Sequence, residues 1–363
     1  MLKEYFDWSE DLIKDMKKPV IGWTCAYMPE EVILAAGAHP FRLQGKELQQ
    51  NICEQYLPNF FCPYGANIAN TALAGGFDFL AGVIFTNSCN AMERVYDVWK
   101  TYAGVGQAFM LDVPRNNSNR SKEYYKKSIR KLINSLEKQF QIKITDSDLQ
   151  KAIKQTNQTR ALLNELSDMC LRQAADITTE ELLKVIEACS YMERERYNEA
   201  LAQFVSELKK SEKPRRGRAS RIMLSGCVLY DCELIQIIKK TGAVVIGDEL
   251  CTGSRYYDFL IKESGDPVDN ICDAYLSKSP CPRMEGSAST RANNLLKIID
   301  KYDIDAVIYH SLKFCINHSY DYMQMKELLN DEGIPVLLAE SDFSKSGLEQ
   351  LRIRVEAFME MLS

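Results

Sequence analysis

The chain has 363 residues, 46% of them hydrophobic and 26% charged, enough length and apolar content for two domains with buried cores, which excludes a disordered or fibrous chain. Lys and Arg number 45 against 50 Asp and Glu, a net charge of −5, so no cationic surplus exists to neutralise a phosphate backbone or an anionic membrane, and neither is an expected partner. Acids stand in the opening Met1-Leu2-Lys3-Glu4-Tyr5-Phe6-Asp7-Trp8, and nowhere do about 18 apolar residues run together, which predicts a cytoplasmic protein. In that reducing compartment 12 cysteines point to metal binding or catalysis before disulfides, although a free Cys is also a common core residue.

In chain order, Pro19-Val20-Ile21-Gly22 predicts a strand, followed by Cys25 and a helix from Glu30 to Gly37-Ala38, then a further apolar segment. Cys62 stands before Pro63, a place unlikely to continue a helix. Gly82-Val83-Ile84-Phe85 predicts the next strand and leads to Cys89. Residues 121–210 contain no Gly or Pro and are rich in helix formers, with start signals at Thr145-Asp146-Ser147-Asp148 and Thr178-Thr179-Glu180-Glu181, so a helical segment is expected there. The basic, Pro- and Gly-broken stretch from Ser211 to Arg218 reads as a hinge.

After it come a strand at Arg221-Ile222-Met223-Leu224, Cys227, a helix from Glu233 to Gly242, and a strand at Ala243-Val244-Val245-Ile246 leading to Cys251. Cys281 lies between Pro280 and Pro282; Ala306-Val307-Ile308-Tyr309 predicts a strand before Cys315; and Pro335-Val336-Leu337-Leu338 predicts the last. Short β-branched runs alternating with helices predict an α/β fold of two parallel-sheet, Rossmann- or flavodoxin-like domains, about 1–215 and 216–363, with helices 121–210 attached to the first. Cysteines recur in the same order in both halves, which suggests a duplicated plan.

Ligands in open parallel sheets bind beyond the carboxyl ends of the strands, where Cys89, Cys227, Cys251 and Cys315 all fall. Thiolates gathered there with loop amides free to bond sulfide suit an iron-sulfur cluster, and buried core thiols are the bland alternative. Structural zinc is disfavoured because no Cys-x-x-Cys occurs, the closest pair being Cys227 and Cys232 with four residues between them. His39, His310 and His318 form no metalloprotease motif, and neither a Gly-x-Ser-x-Gly elbow nor a Walker A loop is present. His39, Arg42, His310 and His318 lie near expected loops and could donate protons, but none is singled out as catalytic.

Ile21-Gly22-Trp23-Thr24-Cys25-Ala26-Tyr27-Met28-Pro29-Glu30-Glu31, with Ala35-Ala36-Gly37-Ala38, resembles the opening of the 2-hydroxyacyl-CoA dehydratase D-component family, which includes benzoyl-CoA reductase subunits and double-cubane cluster proteins. The resemblance runs nearly end to end. It implies that Cys62, Cys89 and Cys315 hold a cubane, and Cys227, Cys251 and Cys281 resemble the additional cysteines of the double-cubane branch. Cys25 belongs to the family opening and is expected near the site; Cys53, Cys170, Cys189, Cys232 and Cys272 have no motif and read as incidental.

The resemblance therefore implies a homodimeric oxidoreductase of anaerobic metabolism, with a double-cubane [8Fe-9S] cluster charged by a separate ATP-hydrolysing activator and reducing small, difficult substrates. The alternative it implies is an (R)-2-hydroxyacyl-CoA dehydratase subunit with a single [4Fe-4S] cluster and usually a second, different subunit. A non-catalytic scaffold with core cysteines is the third reading.

Overall fold

The computed structural model describes residues 2–45, 51–210 and 219–362, so the hinge read at Ser211 to Arg218 lies outside the described residues. Two four-stranded sheets carry the architecture. The first comprises β1 (Val20–Trp23), β2 (His39–Arg42), β3 (Gly82–Thr86) and β4 (Gln107–Leu111), in the order β2-β1-β3-β4. The second comprises β5 (Arg221–Gly226), β6 (Val244–Leu250), β7 (Ala306–Leu312) and β8 (Val336–Ser341), in the order β6-β5-β7-β8. All pairings are parallel, and the order is the same in both, as a duplicated plan requires. The fold is thus the expected α/β arrangement.

The central strands are buried along their whole length, β3 as Gly-Val-Ile-Phe-Thr and β7 as Ala-Val-Ile-Tyr-His-Ser-Leu, because helices cover both faces of a parallel sheet. Six strands coincide with the β-branched runs in the sequence. The other two are at the edges. In β2, Pro40 has no N–H to give to a ladder, which only an edge strand tolerates; β4 is Gln-Ala-Phe-Met-Leu, without a β-branched residue.

The Gly-free segment forms four helices, Asn119–Phe140, Asp146–Arg172, Thr179–Ala188 and Arg194–Lys210. Thr145 and Thr178 cap theirs through reciprocal bonds with Asp148 and Glu181, as those start signals predict. With no glycine to hand, Gln141 and Gln173 take the left-handed positions that end the first two, at φ 54° and 50°. The Asp146–Arg172 helix packs against elements of both halves. Arg160 meets Glu31 at 2.7 Å, while Asn157 and Asn164 donate to the carbonyls of Ile261 and Tyr257. Among the described residues no helix is long and apolar enough to cross a membrane.

Candidate cluster site at the facing carboxyl ends of the sheets

Cys25 follows β1, Cys89 follows β3, Cys227 follows β5, Cys251 follows β6 and Cys315 follows β7, so the carboxyl ends of both sheets contribute thiols. Contacts across the two halves show that these ends meet. At the end of β2, Arg42 donates from Nη1 to the Cys251 carbonyl at 3.0 Å and from Nη2 to Cys251 Sγ at 3.3 Å. Tyr230 hydroxyl donates to the Leu43 carbonyl at 3.2 Å, and the Cys281 amide donates to Tyr27 hydroxyl at 3.3 Å.

The thiols feel one another's charge. Cys227 is acted on by Cys315, Cys62 and Cys251; Cys62 by Cys89; Cys281 by Cys251 and Cys25; and Cys89 by Cys25. All six expected cysteines and Cys25 therefore belong to one connected group. Among the described residues no three His, Cys, Asp or Glu side chains converge closely enough to hold a single metal ion. The remaining cysteines lie elsewhere: Cys53, Cys170, Cys189 and Cys272 are buried in the cores, and Cys232 caps the helix Glu233–Lys240.

Three of the seven thiols share one place relative to a helix. Cys62, Cys89 and Cys315 are each the residue preceding the first turn of a helix, Pro63–Leu73, Asn90–Val98 and Ile316–Asp331. Cys62 was expected in a loop because a proline follows it, but Pro63 occupies the first helical position, where its missing N–H leaves nothing unsatisfied. Free amides and the positive end of the helix favour a thiolate at that place. Burial raises Cys62 to about 11, opposed by the amides of Gly65 and Tyr64; it raises Cys89 against those of Met92 and Ala91, and Cys315 to about 12 against that of His318. Phe314, just before Cys315, has a left-handed backbone at φ 61°, a strained state for a bulky residue. Its ring meets Phe60 edge-on at 5.7 Å, and both are exposed beside the thiols.

Cys251 differs from its neighbours. Burial alone would raise its thiol, but Arg42, Arg255 and Lys278 outweigh it and hold the thiol below its ordinary value. Lys278 is buried against Tyr27, Phe259 and Tyr275, donates to the carbonyls of Ala26 and Arg255, and is drawn down by burial to about 8.

Beneath these loops lies a buried ionic network. Glu249 accepts from Arg255 at 3.2 Å and from Arg291 at 2.5 and 2.9 Å; Arg291 also bonds Asp321, which accepts from Tyr309 at 2.6 Å. Arg255 reaches on to the carbonyl of Gly226, so the network ties together the ends of β5, β6 and β7. Burial would raise Glu249, but Arg255 and Arg291 prevail and keep it below the usual carboxylate range. Sequence reasoning missed this network; adjacent acids in an apolar strand, Asp248 and Glu249, were its available signal.

The three histidines are buried, not at the open loops where proton donors were considered. His39 lies in β2, its Nε2 donating to the Ser190 carbonyl at 2.8 Å, and burial lowers it to about 4. His310 lies in β7 with Nδ1 3.4 Å from Cys227 Sγ and Nε2 2.9 Å from Ser341 Oγ, and burial lowers it to about 4 as well. A neutral ring protonated at Nδ1 donates to the sulfur and accepts from the serine hydroxyl, satisfying both contacts. His318 meets Tyr309 hydroxyl at 2.8 Å.

Because the folded rings resist protonation and unfolded ones do not, stability present above pH 6.5 falls as pH drops towards 4. His39 accounts for roughly 3 kcal/mol of that loss by pH 4. Urea titrations across pH 4–7 are expected to show a shallower dependence for His39→Gln, and an unchanged slope would refute this assignment.

Comparisons with known proteins agree on the kind of protein. The chain is 28% identical to the (R)-phenyllactyl-CoA dehydratase beta subunit of Clostridium sporogenes over 99% of each chain. It is 25% identical to the lactoyl-CoA dehydratase subunit beta of Anaerotignum propionicum, covering 97% of this chain and 94% of that one. A subunit of the benzoyl-CoA reductase of Thauera aromatica is 21% identical, with 96% of this chain and 92% of that one covered. A solved Cd-bound periplasmic metal-binding protein from candidatus liberibacter asiaticus aligns over 95% of this chain and 100% of its own at 10% identity, but its TM-score of 0.25 carries no argument. The model of the family described as 2-hydroxyglutaryl-CoA dehydratase, D-component, matches residues 25–362, and the chain belongs to that family of dehydratase and benzoyl-CoA reductase subunits.

Proposed function

We propose that the chain is the electron-transferring subunit of a 2-hydroxyacyl-CoA dehydratase, with one [4Fe-4S] cubane held by Cys62, Cys89 and Cys315. The observation that carries this reading is the shared position of those three thiols at helix starts, which Cys25, Cys227, Cys251 and Cys281 lack. Cluster ligation needs thiolates, and helix amides directed at sulfur favour that form while supplying the hydrogen bonds that tune a cluster. A bound cubane would supply one low-potential electron to an acyl thioester.

The protein's own residues would hold and surround it. Residues 1–215 and 216–363 act as two units, one bringing Cys62 and Cys89 and the other Cys315. His310 and Arg42 supply N–H groups to neighbouring sulfurs, and the exposed Phe60 and Phe314 offer an apolar rim for a partner. Two relatives named as dehydratase beta subunits, aligned over nearly their whole length, support a second, different subunit as that partner. With no phosphate-binding loop in the sequence, ATP enters through a separate activator in the cytoplasm.

A specific observation favours the second reading, a homodimeric reductase with a double-cubane [8Fe-9S] cluster: Cys227, Cys251 and Cys281 belong to the same connected thiol group. Anaerobic iron and sulfide analysis separates the two. About four irons per chain are expected for one cubane and about eight for two. Cys62→Ala or Cys315→Ala is expected to lose most of the iron, while the triple replacement of Cys227, Cys251 and Cys281 by Ala retains it. Iron retained in Cys62→Ala and Cys315→Ala overturns the assignment, and iron lost in the triple variant moves it to the double cubane.

A further inference from the structure

A small cavity borders Arg42, and none of the six expected cysteine ligands lines it. Trp23 and Arg42 at the ends of β1 and β2, Leu183 and Glu187 on the helix Thr179–Ala188, Leu229 and Arg194 are among its walls. Three buried donors on those walls, Trp23 Nε1, Arg42 Nε and Arg194 Nε, have no hydrogen-bond partner among the described residues. Their side chains are only 3%, 6% and 4% exposed, so bulk water does not serve them. An unsatisfied buried donor costs about 1–3 kcal/mol, and those of Trp23 and Arg42 on one cavity call for an occupant rich in acceptors; Arg194 also lines a second cavity.

Charge narrows the choice. Glu30 is already engaged by Arg194 at 2.5 Å and by Tyr256 hydroxyl at 2.8 Å, and Lys184 is engaged by Glu180 at 2.7 Å. Among the described residues Arg42 has no carboxylate partner; its Nη atoms go to the carbonyl and sulfur of Cys251, and its guanidinium lies 4.9 Å from the Trp23 ring centre. Glu187, also on the wall, is drawn towards its neutral form by burial, which leaves the Arg42 charge only partly balanced. Size narrows it further: the cavity volume is about 40 Å³. That holds roughly three waters, or a ligand of about four heavy atoms, on the rule that one water needs 10–15 Å³.

We infer that this cavity is a binding site for a small monocarboxylate, of formate to acetate size. Its oxygens accept from Trp23 Nε1 and Arg42 Nε and balance the Arg42 charge, while Leu183 and Leu229 face a short alkyl end. The site is separate from the cluster ligands and does not depend on their number, although Arg42 touches both.

Equilibrium dialysis of radiolabelled acetate against the anaerobically purified full chain, at fixed ionic strength, tests this. Saturable uptake near one acetate per chain is expected, with a Kd on the order of 1 mM or tighter. Acetamide, of the same shape but uncharged, is not expected to compete. Trp23→Phe removes one donor and is expected to weaken binding roughly tenfold or more. Glu187→Gln removes a carboxylate from the wall and is expected to tighten binding. Circular dichroism and iron content of each variant establish that it is folded and loaded as the parent is. Uptake linear in acetate, equal competition by acetamide, or no change in either variant overturns the site and leaves only ordered water there. Iron per chain is read separately, so failure of the carboxylate site and failure of the cubane assignment give different results.

Discussion

Replacing Arg291 by Met is expected to destabilise the protein by about 3–5 kcal/mol, the usual consequence of removing one partner from a buried ion pair. Arg291 is fully buried and bonds both Glu249 and Asp321. Without it, among the described residues Asp321 retains only hydroxyl partners, Tyr309 and Ser287, and Glu249 keeps Arg255 alone among its cations. The side chain of Met fills similar space, so the loss reports charge and hydrogen bonding more than a cavity. Urea denaturation followed by circular dichroism measures it, and a loss under about 1 kcal/mol would show that the network is not what fixes this end of the sheet. Iron content should fall as well, because the network anchors Gly226 and Glu249, next to Cys227 and near Cys251.

A larger effect is expected from Gly226→Ala. Gly226 has φ 130°, and a Cβ there would lie 1.9 Å from the carbonyl oxygen of His310. That oxygen belongs to the neighbouring strand β7 and accepts the Cys227 amide at 2.9 Å, so neither side can yield without parting β5 from β7. A penalty above about 4 kcal/mol is expected, in the range that ordinary substitutions do not reach, with loss of folded protein or displacement of Cys227. Gly37→Ala is the control. It too has a positive φ, 69°, but nothing lies within 4 Å of its added Cβ. It should cost only about 1–2 kcal/mol of backbone strain. Similar soluble yield and denaturation midpoint for the two variants would refute the steric argument.

What could be read from the sequence divides along a physical line. Short continuous β-branched runs located six strands because burial on both faces selects such residues directly, and Thr145 and Thr178 announced their helices because capping is local. The position of cysteines after strands was legible for the same reason. The local structure at Cys62 was not: a Cys-Pro pair begins a helix at 62–63 and stays in a loop at 281–282, and only tertiary packing decides between them. Buried charges were equally hidden. Glu31 finds Arg160 and Tyr275, Glu30 finds Arg194, and Arg42 finds Cys251, each across more than a hundred residues. No local pattern encodes such pairs, since each side chain alone looks like an ordinary surface charge.

The meeting of two carboxyl edges also fixes an order of events during synthesis. Cys62 and Cys315 are 315 − 62 = 253 residues apart in the chain. At about 5–20 residues per second, roughly 13–50 s separate their emergence from the ribosome. A centre that draws ligands from both edges can close only after nearly the whole polypeptide has been made. On the proposed ligation, Cys62 and Cys89 would stand for that interval as open thiols without Cys315, exposed to any oxidant present. On that ligation, iron delivery would be a step after translation, and the yield of loaded protein should depend on how anoxic the cell is while the second half is still being made.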